Sequence, residues 1–180
     1  MSQFSVIYRP NSNGGYGETH VVGGSYYSSV NEETYDGYES GLYEDGTSFT
    51  NTTVNFTNPT TRVGRIKNII LHTICARQNT VIAYSKGAIY YPGQSLQYGA
   101  QNTPIYKAPG VNTNWSDFSD VWATNPWTGL PWTWANLDLL QIGVALKGTG
   151  TYYAFCTQVY IIVNSATPSP RGAQMIGPTW

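Results

Sequence analysis

Charge is what this chain has least of. Asp, Glu, Lys and Arg make up 11% of its 180 residues, against roughly 25% in ordinary soluble domains. Nine bases against ten acids leave a net charge of −1, which excludes the cationic surplus that generic nucleic-acid binding needs to displace phosphate counterions. Histidine and cysteine are as scarce: His20, His72, Cys75 and Cys156 are all there is. His72 stands in an apolar run with no His or Cys at zinc-ligand spacing and reads as a hydrogen-bonded core histidine. Each cysteine also lies in an apolar run, so buried thiols are expected, with a cross-strand disulfide as the alternative. No apolar stretch approaches the roughly 18–20 residues of a membrane span. The opening Met-Ser-Gln-Phe-Ser-Val has neither a basic region nor an apolar core, so synthesis in the cytoplasm is expected.

Catalytic patterns are equally thin. No serine sits in a Gly-x-Ser-x-Gly elbow. Gly14-Gly15-Tyr16-Gly17 and Gly23-Gly24 precede no helical pattern, so a phosphate loop is unsupported. A glycosidase needs two facing carboxylates, and the nearest approach to such a pair is Asp117 with Asp120, which reads as solvated. Residues 32–39 concentrate Glu32, Glu33, Asp36 and Glu39 among Tyr35 and Tyr38. They lack the spacing of an EF-hand and read as a solvated acidic loop. No enzyme activity, no cofactor and no metal are expected.

What the chain does have is aromatic and neutral polar surface: fifteen tyrosines, six tryptophans, and abundant Asn, Thr, Ser and Gln. Such groups lose less on desolvation than Lys or Glu, which suits a surface covered by other protein copies or by sugars. Charge is also uneven, with seven acids against Arg9 in residues 1–60 and eight bases against three acids afterwards, so the halves can attract within or between copies.

Short strand-like runs punctuated by Gly and Pro fill the middle of the sequence: 52–56, 66–76, 80–84, 88–91, 96–98, 105–107, 115–122, 139–146 and 152–163. Ser85-Lys86-Gly87 and Lys147-Gly148-Thr149-Gly150 read as hairpin turns. With almost no 3.6-residue periodicity, the pattern predicts an all-β chain: a single-domain antiparallel β-sandwich, jelly-roll-like, with one short helix at 134–140. Residues 1–24 and 164–180, rich in Gly, Pro, Asn and Ser, read as extended N- and C-terminal arms around a sandwich of residues 25–163. Phe4, Ile7, Tyr8, Met175, Ile176 and Trp180 are their candidate assembly anchors.

The densest signal is Asn125-Pro126-Trp127-Thr128-Gly129-Leu130-Pro131-Trp132-Thr133-Trp134. Asn-Pro and Thr-Gly each favour a turn, and Thr133 can cap a helical turn. The tryptophans here read first as corner packing. As a sugar-stacking platform the candidates are Tyr38, Trp115, Trp122 and Trp127. The segment resembles structural proteins of tailed bacteriophages, of the head-decoration or tail- and fibre-associated type. The resemblance rests on Asn125, Pro126, Thr128, Gly129, Trp132, Thr133, Leu140, Gln141, Gly143 and Val144, an acidic Tyr-containing loop at 32–43, and a strand at 66–77 ending in Ala-Arg. It covers roughly residues 25–163 and leaves the arms out. It implies a non-enzymatic β-sandwich virion protein, made in the host cytoplasm and displayed on the particle. That protein would bind itself, as a homo-oligomer such as a trimer, and a capsid or tail lattice, most simply as head decoration. The alternative from a different class is a carbohydrate-binding module for host or mucosal glycans.

Overall fold

The computed structural model describes residues 2–31, 40–57, 60, 62–78, 80, 82–105 and 115–167. In chain order it comprises β1 (Gln3–Tyr8), β2 (Pro10–Gly17), β3 (His20–Val22), β4 (Gly41–Glu44), β5 (Thr50–Phe56), β6 (Arg65–Arg77), β7 (Tyr84–Tyr90), β8 (Gln97–Tyr98), β9 (Ser116–Trp122), α1 (Trp134–Leu137), β10 (Gln141–Lys147) and β11 (Ala154–Ala166). Two antiparallel sheets form a β-sandwich. One has the order β3-β4-β11-β6-β9, with β1 also paired to β11; the other has the order β2-β5-β10-β7-β8. The chain crosses from sheet to sheet at every step except β3 to β4 and β7 to β8.

Alternation along the strands builds the core. Ile69, Leu71 and Cys75 of β6 and Val159, Ile161 and Val163 of β11 face Val54 of β5 and Ile142, Val144 and Leu146 of β10 across the sandwich. β6 and β11, thirteen residues each, are paired nearly end to end. Cys75 and Cys156 are direct register partners in that pair, both fully buried and both free thiols. Burial first, and then the neighbouring Cys75, pushes the Cys156 thiol up.

Edge closure depends on Asp120. Its register partner is the core residue Leu71, so it points inward from β9, and its carboxylate accepts from the amide N–H of Ala100 and of Gly87 in the other sheet. Gly87 and Gly99 leave the space it fills: a Cβ on Gly99 would fall within 2.1 Å of all three carboxylate atoms.

Several expectations are corrected. Residues 1–24 do not form an arm, because β1, β2 and β3 pair within the two sheets, and backbone pairing replaces the side-chain volume this Gly- and Asn-rich stretch lacks. Asn164, Ser165 and Ala166 likewise belong to β11 rather than to a C-terminal tail; residues 168–180 lie outside the described residues. Ser85-Lys86-Gly87 is the middle of β7 and not a turn, Gly87 being required by Asp120 and not by a bend. Lys147-Gly148-Thr149-Gly150 joins β10 to β11 in the opposite sheet, so it is a crossing and not a hairpin. Gly148 is needed there because a Cβ would sit 2.5 Å from the Asp45 backbone. The helix is one turn, Trp134–Leu137, and Leu139 is exposed ahead of β10.

Candidate functional site

The tryptophans predicted to stack on sugars are engaged in packing. Trp127 donates its indole N–H to the Ser95 carbonyl at 2.8 Å and meets Trp132 edge to face. Trp122 pairs with the core residue Ile69, and its carbonyl accepts from the Trp132 indole at 3.0 Å. Trp115 is half-buried against Phe155, with ring centroids 6.0 Å apart. Tyr38, Met175, Ile176 and Trp180 fall outside the described residues. Of the remaining anchors, Tyr8 packs on Phe56, while Phe4 and Ile7 are exposed on β1. Among the described residues, Trp122 and Trp127 meet at Trp132 and hold a corner, whereas Trp115 packs on Phe155 at the other end of β9.

A different set converges on the outer face of the five-stranded sheet. Ile142, Val144 and Leu146 turn inward, so Gln141, Gly143, Ala145 and Lys147 turn outward. Register carries Asn51 and Thr53 of β5 and Tyr84, Lys86, Ala88 and Tyr90 of β7 to that outward face, and Ala88 pairs in turn with Tyr98 of β8. Three small residues, Gly143, Ala145 and Ala88, make a floor with aromatic side chains around it.

The floor is closed on one side by a bulge. From Asn13 to Gly17, β2 advances four residues while β5 advances two, from Val54 to Thr52. Gly14-Gly15-Tyr16, three residues opposite Thr53 alone, fold over the face. Gly14 allows this contact, since a Cβ there would lie 2.5 Å from the Thr53 carbonyl oxygen. Gln141 clamps the bulge: its Oε1 accepts from Gly15 N–H at 2.6 Å and from the Thr53 hydroxyl at 2.9 Å, and Thr53 Oγ1 accepts from Tyr16 N–H at 3.1 Å. Tyr16 is thereby set edge-on to Tyr90, 4.9 Å between centroids at 87°.

Beside this pair stands Tyr98, 44% exposed. Its hydroxyl donates to Asn51 Oδ1 at 2.8 Å, and Asn51 donates through both its side-chain amide and its backbone N–H to Glu18 Oε2 at 2.9 Å. Desolvation, then the charges of Glu18 and Tyr16, push the Tyr98 phenol up, so it stays a hydrogen-bond donor. The Lys86 ammonium lies 4.2 Å from the Phe49 ring centroid and 5.6 Å from that of Tyr98. Tyrosines, an amide, a carboxylate and an ammonium thus share one face. Sequence reasoning missed these residues; the legible trace was Gly14-Gly15-Tyr16-Gly17, which had no helix to serve.

Other clusters lie elsewhere. On the outer face of the six-stranded sheet His72 is hydrogen-bonded to Asp117 at 2.9 Å and stacked on Tyr160, over which Arg9 sits. His72 is therefore paired as expected but is not in the core. Asp117 and Asp120 face opposite sides of β9 and cannot act as a facing pair. At the corner, an open cleft of about 530 Å³ is lined by Gly64, Ile66, Leu130, Pro131 and Trp134, and is mostly apolar. No helix among the described residues is long and apolar enough to cross a membrane.

No family model matches this chain, and no curated protein matches it. Among solved structures it is similar to the CBM22-1–GH10 modules of the Clostridium thermocellum endo-1,4-β-D-xylanase 10B complexed with xylohexaose, with 11% identity and a TM-score of 0.45 over 92% of this chain. It spans 29% of that xylanase chain. It is also similar to the carbohydrate binding module CBM6cm-2 of Cellvibrio mixtus lichenase 5A in complex with cellotriose, with 12% identity and a TM-score of 0.38 over 91% of this chain and 98% of that one.

Proposed function

We propose that the chain is a non-catalytic carbohydrate-binding module that holds glycans on the outer face of its five-stranded sheet. The observation that carries this reading is Tyr98: an exposed ring whose hydroxyl is fixed by Asn51 and, through it, Glu18. A sugar presents C–H groups on its faces and hydroxyls at its rim. Aromatic rings serve the first, and amide, carboxylate and ammonium groups serve the second. Tyr16, Tyr90 and Tyr98 supply the rings, and Asn51, Glu18 and Lys86 the polar rim. Affinity electrophoresis through gels containing β-glucan, xylan or mannan tests it. The wild type is retarded in at least one gel, Tyr98→Ala loses about tenfold in affinity, a loss typical of a binding hot spot, and Trp127→Phe is unchanged. Free migration in every gel, or retardation indifferent to Tyr98, sinks the reading.

A second reading, a structural bacteriophage protein bound to a capsid or tail lattice, is favoured by the opposite face of the sandwich. There Ile7, Ile162, Ile70 and Val121 are register partners across four strands, forming one aliphatic row. Ile7 and Val121 are 54% and 60% exposed. A row of this kind suits burial against protein, either a second copy or a lattice subunit. Sedimentation decides it: a wild type that neither self-associates nor sediments with particles removes this reading, and binding that survives Ile7→Lys together with Val121→Lys removes the row as its contact.

A further inference from the structure

Where β3, β4 and the turn after β4 meet, three side chains from two separate parts of the sequence point at a common space. His20 opens β3, Glu44 closes β4, and Asp45 follows it. A ligand atom from each lies within 4.8 Å of the other two. The sequence gives no hint of this group, because its spacing matches no metal motif and antiparallel pairing of β3 with β4 creates it.

Glu44 distinguishes the cluster from an ordinary polar surface. It is only 5% exposed, yet its carboxylate is held by neutral donors alone: Oε1 accepts from Gly46 N–H and Oε2 from the Thr50 hydroxyl, each at 2.7 Å. Among the described residues no ion pair includes it. A buried carboxylate ordinarily has a cation beside it or coordinates a metal. Each Glu44 oxygen also keeps a further lone-pair direction unused, and the two hydrogen bonds fix its orientation as outer-shell partners fix a metal ligand. The neighbours are held as well. The His20 ring stacks on Tyr43, 4.9 Å between centroids at 24°. The Asp45 backbone is pinned by Gly150 N–H, which donates to its carbonyl, and by Gly148 packed against it.

We infer that His20, Glu44 and Asp45 form a divalent metal site, with chemistry that suits Zn²⁺ rather than Ca²⁺. One imidazole nitrogen and two carboxylate oxygens make a three-ligand set for a four-coordinate ion, and the exposed His20 side leaves the fourth position to water. Calcium takes six to eight oxygens and gains nothing from an imidazole. The ion would fasten β3 and β4 to Thr50, the first residue of β5, whose next residue is Asn51. The inference stands on its own geometry and does not depend on the glycan reading.

The test uses the full chain, stripped with a chelator and titrated calorimetrically with ZnCl₂ and, separately, CaCl₂, with thermal melts alongside. The expected result is one Zn²⁺ bound per chain with a raised melting temperature, weakened by more than about tenfold in His20→Ala, since loss of even an outer-shell partner costs about that much, and unchanged in His72→Ala. Asp45→Asn, in the turn, gives the same weakening and serves as the second variant should His20→Ala disturb β3. Absence of Zn²⁺ uptake, uptake by His20→Ala and Asp45→Asn as tight as that of the wild type, or loss of uptake in His72→Ala would overturn the assignment. Calcium binding untouched by His20→Ala, without zinc binding, would overturn it too.

Discussion

Replacing Gln141 exposes how the candidate face is built, because one oxygen of that side chain holds the β2 bulge in place. Gln141 is 9% exposed, and its Oε1 accepts two hydrogen bonds, from Gly15 N–H and the Thr53 hydroxyl. Each such bond contributes about 1 kcal/mol net, and a buried donor left without a partner costs about 1–3 kcal/mol. Gly15 is exposed and regains water when the acceptor is removed, whereas Thr53, at 0% exposure, does not. Gln141→Ala should therefore lose about 2–3 kcal/mol, a fall of about 5–10 °C in melting temperature for a chain of this length. Gln141→Met keeps most of the volume but not the acceptor and should lose nearly as much. Urea denaturation monitored by tryptophan emission reads both variants. If Gln141→Met were within about 0.5 kcal/mol of wild type, the range of an inconsequential surface change, the oxygen would not be what clamps the bulge, and the positioning of Tyr16 would need another cause.

Two further predictions follow from the closing edge and the corner. Burial raises the Asp120 carboxyl above the usual value of 3.8, outweighing the amide N–H bonds from Ala100 and Gly87 that lower it. The folded chain then binds that proton more tightly than the unfolded chain, so this group adds stability as pH falls through its raised value towards 3.8 and loses that gain above it. The urea midpoint of wild type minus that of Asp120→Asn should accordingly grow as pH falls from neutrality to 4; a difference that shrinks would refute the sign. Trp132, 2% exposed and hydrogen-bonded to the Trp122 carbonyl, should cost about 3–5 kcal/mol when cut to alanine. Trp127→Ala, at a half-buried position, should cost visibly less in the same denaturation series, and equal losses would mean the corner does not turn on Trp132.

Local chemistry was legible in the sequence and cross-sheet chemistry was not. Thr133 caps its helical turn as its residue type suggests, and the cap is reciprocal, with the Asn136 amide oxygen accepting from Thr133 N–H while Asn136 N–H donates to Thr133 Oγ1. The near-continuous apolar run of β6 announced a central strand for the expected reason: one face is core and the other is half covered by Tyr160 and Ile162 of β11. Glycine was the misleading letter. Ser85-Lys86-Gly87 carries turn chemistry, yet Gly87 is there to admit a carboxylate from the opposite sheet, and nothing within a few residues of Gly87 could have revealed Asp120.

Register also hides the candidate face in the sequence, whereas the tryptophans stand out in it. Large aromatics clustered in sequence are conspicuous, but clustering along the chain places them at one corner, where Trp132 and its neighbours satisfy each other with carbonyl partners and leave little for a ligand. Tyr16, Asn51 and Tyr98 are inconspicuous singly and come from β2, β5 and β8. They meet only because β5, β10 and β7 are in register, with Gly143, Ala145 and Ala88 small enough to let the side chains above them close in. A binding face on a sheet is in this sense a property of register, and a one-residue slip of β5 against β10 would turn Asn51 into the core and Thr52 out to the surface.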